Sequence, residues 1–331
     1  MTTFTGWIVK ETSDGRQASL EELDSEILDD LDTTVRVRYS SVNYKDALAL
    51  QGKPGVIRRF PLVPGIDLVG EVVSSRNGRW SEGDVVVLNG AGIGEELHGG
   101  LAELAVVNGD ALVAVPEQFT PAQAAAIGTA GYTAALSLLA MEQAGLTPER
   151  GPVLVTGAGG GVGSVAIALL SSSGYETVAA TGRPAALGDR LTNLGAAQVV
   201  DRSELDTKGR PLGKQRWAGV VDAVGGQILA SALAGLDNGG VAAACGLAAS
   251  PDLPTTVLPF ILRGVSLLGI DSVRTPYPLR EAAWERMGRN LDPALLDSVT
   301  TTIPLAQAQE LAAEVLAGRG TGRTVVDVQA T

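Results

Sequence analysis

One segment limits the fold more than any other: Val153-Leu-Val-Thr-Gly-Ala-Gly-Gly-Gly-Val-Gly-Ser164. An apolar strand ends at Thr156, a glycine cluster follows, and an Ala/Leu-rich helix begins near Val162. Gly157, Gly160, Gly161 and Gly163 carry no Cβ. A tight turn built from them lets main-chain N–H groups and the helix N-terminus come up against a pyrophosphate. The spacing misses a strict G-x-G-x-x-G by one residue, because Ala158 stands ahead of Gly160 and Gly163. A glycine cluster alone also fits a plain strand–helix connection. Context favours the nucleotide site: about twenty residues on, a second apolar strand completes a βαβ unit.

That second strand selects the nucleotide. A site for NAD usually ends it with Asp or Glu on the ribose 2′-OH. Here it ends Ala180-Thr181-Gly182-Arg183, with no carboxylate. A guanidinium can grip a 2′-phosphate through two bonds, and Thr181 can donate to it. Arg202, after Val199-Val200, is a second candidate contact or a surface residue. The pattern predicts NADPH as cofactor.

Strand and helix alternate from about Pro121 to Asp271. The strands are Val153–Thr156, Thr177–Ala180, Gly219–Asp222, Val241–Ala244 and Val265–Leu268. Short apolar strands between helices predict an α/β fold with a doubly wound parallel sheet. The first third reads differently. Thr34-Val-Arg-Val-Arg-Tyr39 alternates like a half-buried strand, and Gly70–Val73, Asp84–Leu88 and Ala102–Val107 are further short strands between turn residues. The last sixty residues offer helices Leu279–Asn290 and Leu305–Ala317 and a strand Arg323–Val328. This tail is expected to pack on the β-rich first part. The chain of 331 residues then divides into residues 1–122 with 272–331, and residues 123–271 as the cofactor domain.

Composition excludes several classes. The net charge of −12 argues against nucleic acid as main partner. One cysteine, Cys245, and one histidine, His98, rule out an intrachain disulfide and a structural zinc site of Cys and His alone. The start, MTTFTGWIVKETSDG, lacks the pattern of a signal peptide. The apolar stretch Ala124–Met141 is Ala-rich and reads as a buried helix, not a span. No membrane partner is expected; the expected place is the cytoplasm.

Without the usual zinc ligands, a nicotinamide enzyme needs a protein acid on the carbonyl or an acceptor already activated, such as an enone, enoyl thioester or quinone. Many segments narrow the choice. SSVNYKDALALQGK (40–53), RRFPLVPGIDLVGEV (58–72), IGTAGYTA (127–134), VTGAGGGVGS (155–164), ATGR (180–183), WAGVVDAVGG (217–226), LPTTVLPFILRGVSLLGIDSV (253–273) and GRTVV (322–326) span nearly the whole chain. Together they resemble the medium-chain dehydrogenase/reductase superfamily, in its zinc-free quinone-oxidoreductase-like branch. More narrowly, they resemble the NADPH-dependent acryloyl-CoA reductase family. In zinc-bearing relatives two ligands fall where this chain has Asn43 and Ile66.

The resemblance implies a GroES-like β-rich catalytic domain plus a Rossmann domain. It implies hydride transfer to the β carbon of an activated C=C bond and protonation of the α carbon, with acryloyl-CoA to propanoyl-CoA as the best single reaction. NADPH:quinone oxidoreductase is the alternative enzyme, and a non-catalytic NADPH-binding module the alternative class. By match to family motifs, Tyr44 approaches the nicotinamide and is the candidate catalytic residue. Gly160, Val162, Gly163, Ser164 and Val165 line the pyrophosphate. Thr181, Gly182, Arg183 and Arg202 hold the adenosine phosphate end. Leu247, Ile261 and Ser272 lie along the nicotinamide, and Gly318 is a further contact position. A homodimer is implied, with Gly264–Ile270 as a possible edge strand.

Other residues have two readings each. Asn43 and Asp46 fit a helix capping box or a site. Lys53, Arg58 and Arg59 could receive CoA phosphates or form a solvated patch. Asp67 reads as a turn residue, His98 as a loop residue and Cys245 as a small core residue.

Overall fold

The computed structural model describes residues 2–13 and 15–330; Met1, Asp14 and Thr331 lie outside the description. In chain order it runs β1 (Thr3–Thr12), β2 (Gly15–Asp24), β3 (Thr33–Ser41), α1 (Tyr44–Leu50), β4 (Asp67–Ser75), β5 (Val85–Asn89), β6 (Leu104–Val107), β7 (Val113–Ala114) and α2 (Pro121–Gln143). Then follow β8 (Val153–Val155), α3 (Gly161–Ser172), β9 (Thr177–Thr181), α4 (Pro184–Asn193), β10 (Ala196–Asp201), β11 (Trp217–Asp222), α5 (Gly226–Ala234), β12 (Leu236–Ala244), α6 (Leu258–Arg263) and β13 (Ser266–Gly269). The last elements are α7 (Tyr277–Asn290), α8 (Pro293–Val299), β14 (Thr300–Pro304), α9 (Ala308–Leu316) and β15 (Arg323–Asp327). Two compact units emerge. The first is Met1–Tyr132, Ser272–Gly288 and Leu296–Thr331; the second is Thr133–Asp271 with Arg289–Leu295.

The first unit is built mainly on antiparallel strands, with β14 parallel to β15. β3 shows why: Val35 and Val37 are buried while Arg36 and Arg38 are exposed, the alternation of a sheet with one dry face. The main sheet orders β14-β15-β3-β4-β5-β7, with β6 also on β3. β15 lies antiparallel to β3, from Val325 opposite Ser41 to Asp327 opposite Tyr39. Val326, Val328, Leu305, Ala308 and Ala312 from the tail join Val35, Val37, Leu68 and Val86 in one core. Two tail elements, α8 and β14, have no counterpart in the pattern of the sequence. Pro293 and short, half-polar segments hide their periodicity.

The second unit holds six parallel strands in the order β10-β9-β8-β11-β12-β13. Numbered within the sheet this is 3-2-1-4-5-6, whose reversal point lies between β8 and β11. In such sheets ligands bind beyond the carboxyl ends of the strands at that point, and the glycine loop follows β8 there. β12 begins five residues before the expected Val241. Its early part carries Gly239 at φ 68 and shifts register against β11 between Trp217 and Gly219.

Among the described residues, α2 alone is long and apolar enough to cross a membrane, and 83% of its apolar window is buried within the protein. The chain leaves helical geometry inside it at Gly128, with φ 49 and ψ −163.

Candidate functional site

In the second unit, helix α3 starts directly from the glycine loop. Its first intrahelical bond is donated by Ser164 N to Gly160 O, at 3.0 Å. The amides of Gly161, Val162 and Gly163 therefore precede the hydrogen-bonded ladder, and their combined dipole favours an anion. A Cβ on Gly163 would lie 2.4 Å from Gly157 O and 2.7 Å from Ala158 Cα, so glycine there lets helix and loop touch. A Cβ on Gly160 would meet only Gly157 O, at 3.3 Å. Gly160 thus faces the open side of the loop, and Gly163 its packed side. Ser164 and Val165 are 2% and 1% exposed. Their side chains belong to the core, so only main-chain atoms there could face a ligand.

The loop is braced from beneath by Asp222. Its carboxylate accepts from Thr156 Oγ1 at 2.6 Å and from Gly225 N at 2.7 Å. It joins the end of β8, one residue before the loop, to the turn after β11. Burial raises its pKa, and these bonds partly oppose the rise. Cys245 is half-buried and its thiol donates to Asp222 O at 3.2 Å. Burial and the nearby Asp222 charge push its pKa up to about 12, the opposite of an activated thiolate.

At the next strand ends, Thr181 pairs with Asp201 across β9 and β10. Gly182 and Arg202 follow side by side, and both Arg183 and Arg202 are exposed. Thr181 Oγ1 accepts from Arg183 N at 3.3 Å. Thr181, Gly182, Arg183 and Arg202 are thus brought together. Leu247 and Ile261 are 63% and 67% exposed in the same unit.

In the first unit, Tyr44 opens α1 and is 55% exposed. Asp46 caps that helix, accepting from Asn43 N at 2.8 Å, and also accepts from Ile66 N at 2.8 Å. So the capping box exists, and the two positions where zinc-bearing relatives place ligands are both tied to one carboxylate. Among the described residues no group of three or more His, Cys, Asp or Glu is arranged to hold a metal ion.

Behind α1 lies a polar network that sequence reasoning missed. Asp67 is 1% exposed. It accepts from Ser41 Oγ (2.6 Å), Asn43 Nδ2 (2.7 Å), Asn89 Nδ2 (2.7 Å), Thr129 Oγ1 (2.6 Å) and Thr129 N (2.9 Å). The Thr129 amide is released by the helix break at Gly128. A Cβ on Gly128 would lie 2.5 Å from Arg323 Nη2 and 2.7 Å from Asp67 Oδ2. Arg323, 3% exposed, donates to Ala126 O (2.6 Å), Ser41 Oγ (3.0 Å) and Asn43 Oδ1 (3.1 Å). Two buried carboxylates and one buried guanidinium thus belong to one network, bridged through the Ser41 hydroxyl and the Asn43 side chain. Burial first, and then the Asp67 charge, raise the Asp46 pKa to about 7. Asp67 is therefore not a plain turn residue. The available signal was a charge inside an apolar run: Gly65-Ile-Asp-Leu-Val69, and likewise Val220-Val-Asp222.

The remaining candidates sit apart. Arg58 pairs with Glu96 at 3.0 Å, and Arg59 pairs with Asp29. Both cations are already met by carboxylates, which weakens their case as CoA contacts; Lys53 is exposed. Gly318 follows α9 at φ 70, a left-handed position that favours glycine at a helix end. Ser272 is half-buried, its carbonyl beside Gly90. His98 lies in a loop, as expected, but its side chain is buried. It is 2% exposed, and its Nδ1 accepts from Val63 N at 3.1 Å. Burial lowers its pKa.

A GroES-like β unit joined in sequence to a six-stranded parallel unit with a glycine loop at its reversal point defines a dehydrogenase of the alcohol dehydrogenase type. Two family profiles agree: the alcohol dehydrogenase GroES-like domain over residues 29–117 and the zinc-binding dehydrogenase over residues 161–289. The chain is 49% identical over 321 residues to acrylyl-CoA reductase AcuI of Ruegeria pomeroyi, covering 97% of each chain. It is 43% identical over 327 residues to the putative quinone oxidoreductase YhfP of Bacillus subtilis, covering 98% of this chain and 99% of that one. The crystal structure of YhfP with NAD bound matches with a TM-score of 0.95, covering 99% of this chain and all (100%) of that one. The yhdH oxidoreductase from Salmonella enterica, in complex with NADP, matches with a TM-score of 0.95 at 46% identity, covering 98% of this chain and 100% of that one. The chain belongs to the medium-chain dehydrogenase/reductase superfamily, in its quinone-oxidoreductase-like branch, and there to the acrylyl-CoA reductase family.

Proposed function

We propose that the protein reduces an activated C=C bond with NADPH, converting acryloyl-CoA to propanoyl-CoA. The observation that carries this reading is the full-length match, at 49% identity, to an acrylyl-CoA reductase. The second unit fits the nucleotide: Gly161, Val162 and Gly163 offer amides for a pyrophosphate, Gly160 leaves that side open, and Arg183 and Arg202 flank Gly182 for a 2′-phosphate. When bound, NADPH supplies the hydride. Negative charge then develops on the thioester carbonyl oxygen, and a donor placed there lowers the barrier. Tyr44 carries an exposed phenol for that role, on a helix start pinned by Asp46. The acceptor is a small molecule. The name of YhfP keeps a quinone as the second reading.

The test compares kcat/KM for acryloyl-CoA, crotonyl-CoA and a simple quinone with NADPH. Both thioesters bring a CoA handle whose binding energy can orient the reacting carbons. A β-methyl group in a narrow pocket costs about 10–200-fold. The expected order is acryloyl-CoA, crotonyl-CoA, quinone. Faster quinone turnover would transfer the assignment to the second reading. NADPH binding without turnover of any acceptor would leave a binding module.

We also propose a cytoplasmic homodimer joined through β13. This strand is the outer edge of its sheet, and Val257 and Leu262 nearby in sequence are 64% and 61% exposed. An unpaired edge beside apolar side chains invites a second strand. A monomeric mass at micromolar concentration would refute the dimer.

A further inference from the structure

Gly182 has no conformational need to be glycine. Its φ is not among the positive values of this chain. What it provides is clearance. A Cβ on Gly182 would lie 2.8 Å from Arg202 Nε and 3.1 Å from both Cδ and Cζ of the same side chain. The guanidinium end of Arg202 therefore lies directly on the bare main chain of Gly182. Register explains the meeting: β9 and β10 run parallel with Thr181 opposite Asp201, so the next residue of each strand emerges at the same level. Arg202 is exposed, and an exposed arginine samples many rotamers unless something holds it. Thr181 and Arg183 flank the contact.

We infer that Gly182 is a specificity-determining residue that acts through Arg202. By leaving room for the guanidinium at the end of β9, it keeps that cation beside Arg183, where the 2′-phosphate of NADPH would sit. The inference rests on the proposed use of NADPH. The contact is with the far end of a flexible side chain, so an added methyl group can be relieved by moving Arg202 alone. Gly182→Ala should therefore fold normally and displace only the cation. That displacement should weaken NADPH and leave NADH, which lacks the phosphate, unaffected.

The experiment measures dissociation constants for NADPH and NADH by direct titration. It uses the wild-type protein, Gly182→Ala, Arg202→Ala and the double variant, with circular dichroism to confirm folding. Arg202→Ala should weaken NADPH by about tenfold or more, the scale of a charge-assisted hydrogen bond, and change NADH less than about twofold. Gly182→Ala should show the same selective weakening at smaller size, several-fold by the same scale. The double variant should match Arg202→Ala, because no guanidinium is left to displace. Wild-type NADPH affinity in Gly182→Ala, despite selective weakening in Arg202→Ala, would overturn the inference and leave the phosphate reading standing. Multiplying effects in the double variant, or equal weakening of both nucleotides, would also overturn it. Unchanged NADPH binding in Arg202→Ala would overturn the phosphate role and the inference with it.

Discussion

The two units use arginine in opposite ways. Arg323 in the first unit is 3% exposed and commits its donors to a carbonyl, a hydroxyl and an amide oxygen. Arg183 and Arg202 in the second are exposed at the ends of parallel strands. The first unit is anchored by buried charge at the base of α1. The second makes its site from main chain freed of side chains, with cations at the margin. In the buried case the arginine's environment is complete in the protein itself, so its removal is read in stability. In the exposed case the proposed partner is a ligand, so removal should be read in binding.

The largest expected effect tests the buried case. Arg323→Met removes the buried cation near Asp67 and leaves Ala126 O and Asn43 Oδ1 without their donor. Breaking a buried ionic arrangement from one side costs about 3–5 kcal/mol, measured as a fall in unfolding free energy in urea. A fall under about 1 kcal/mol would mean that the hydrogen bonds alone satisfy Asp67. The exposed case comes next. Arg183→Glu should weaken NADPH by about 2–3 kcal/mol, because it removes a charge-assisted hydrogen bond and adds repulsion, while thermal stability stays near wild type. Equal weakening of NADH would show that Arg183 does not read the phosphate, and a drop in stability would erase the contrast between the two arginines.

The last effect is spread over pH, and it is the smallest within any one pH unit. Asp46 has a folded pKa of about 7, above its unfolded value, so the native state holds a proton that the unfolded chain has released. Stability from this group is fully present below about pH 4 and is lost as pH rises through 7. The slope is at most about 1.4 kcal/mol per pH unit. Asp46→Asn should remove that part of the slope between pH 4 and 7. Identical slopes in both proteins would place the proton elsewhere.

The same contrast explains what the sequence discloses. The second unit was legible because its determinants are local. Val153–Val155, the glycines and α3 are consecutive, and a parallel sheet of short apolar strands announces itself in order. Thr181, Gly182 and Arg183 could be singled out because one position after the second strand decides the phosphate question. The network of the first unit joins Ser41, Asp46, Asp67, Asn89, Thr129 and Arg323, separated by up to hundreds of residues. No window contains it. Asp46 looked like a cap, which it is, but capping does not disclose that Asp67 stands behind it. Gly128 lies inside the Ala-rich stretch Ala124–Met141, and only the fold reveals that Asp67 takes up the Thr129 amide that the break there releases. Arg58 and Arg59 show the same limit from the other side: adjacent cations suggest an anion site or a solvated patch, and only the fold shows that distant Glu96 and Asp29 pair with them.

The placement of Arg323 on β15 also bears on how the chain is made. Ribosomes deliver Asp46 and Asp67 early and their cation roughly 250 residues later, a delay on the order of 10–50 s at about 5–20 residues per second. Through that interval the first sheet lacks β14 and β15, and the Ser41–Asn43–Asp67 network lacks the guanidinium that completes it. Residues 133–271, which form nearly all of the second unit, are complete in the meantime. Nascent chains stalled before β15 should resist protease over 133–271 and be cut over 2–132; equal resistance of both would contradict this order. The nucleotide-type unit would then be assembled first, and the arrival of one late arginine would close the other.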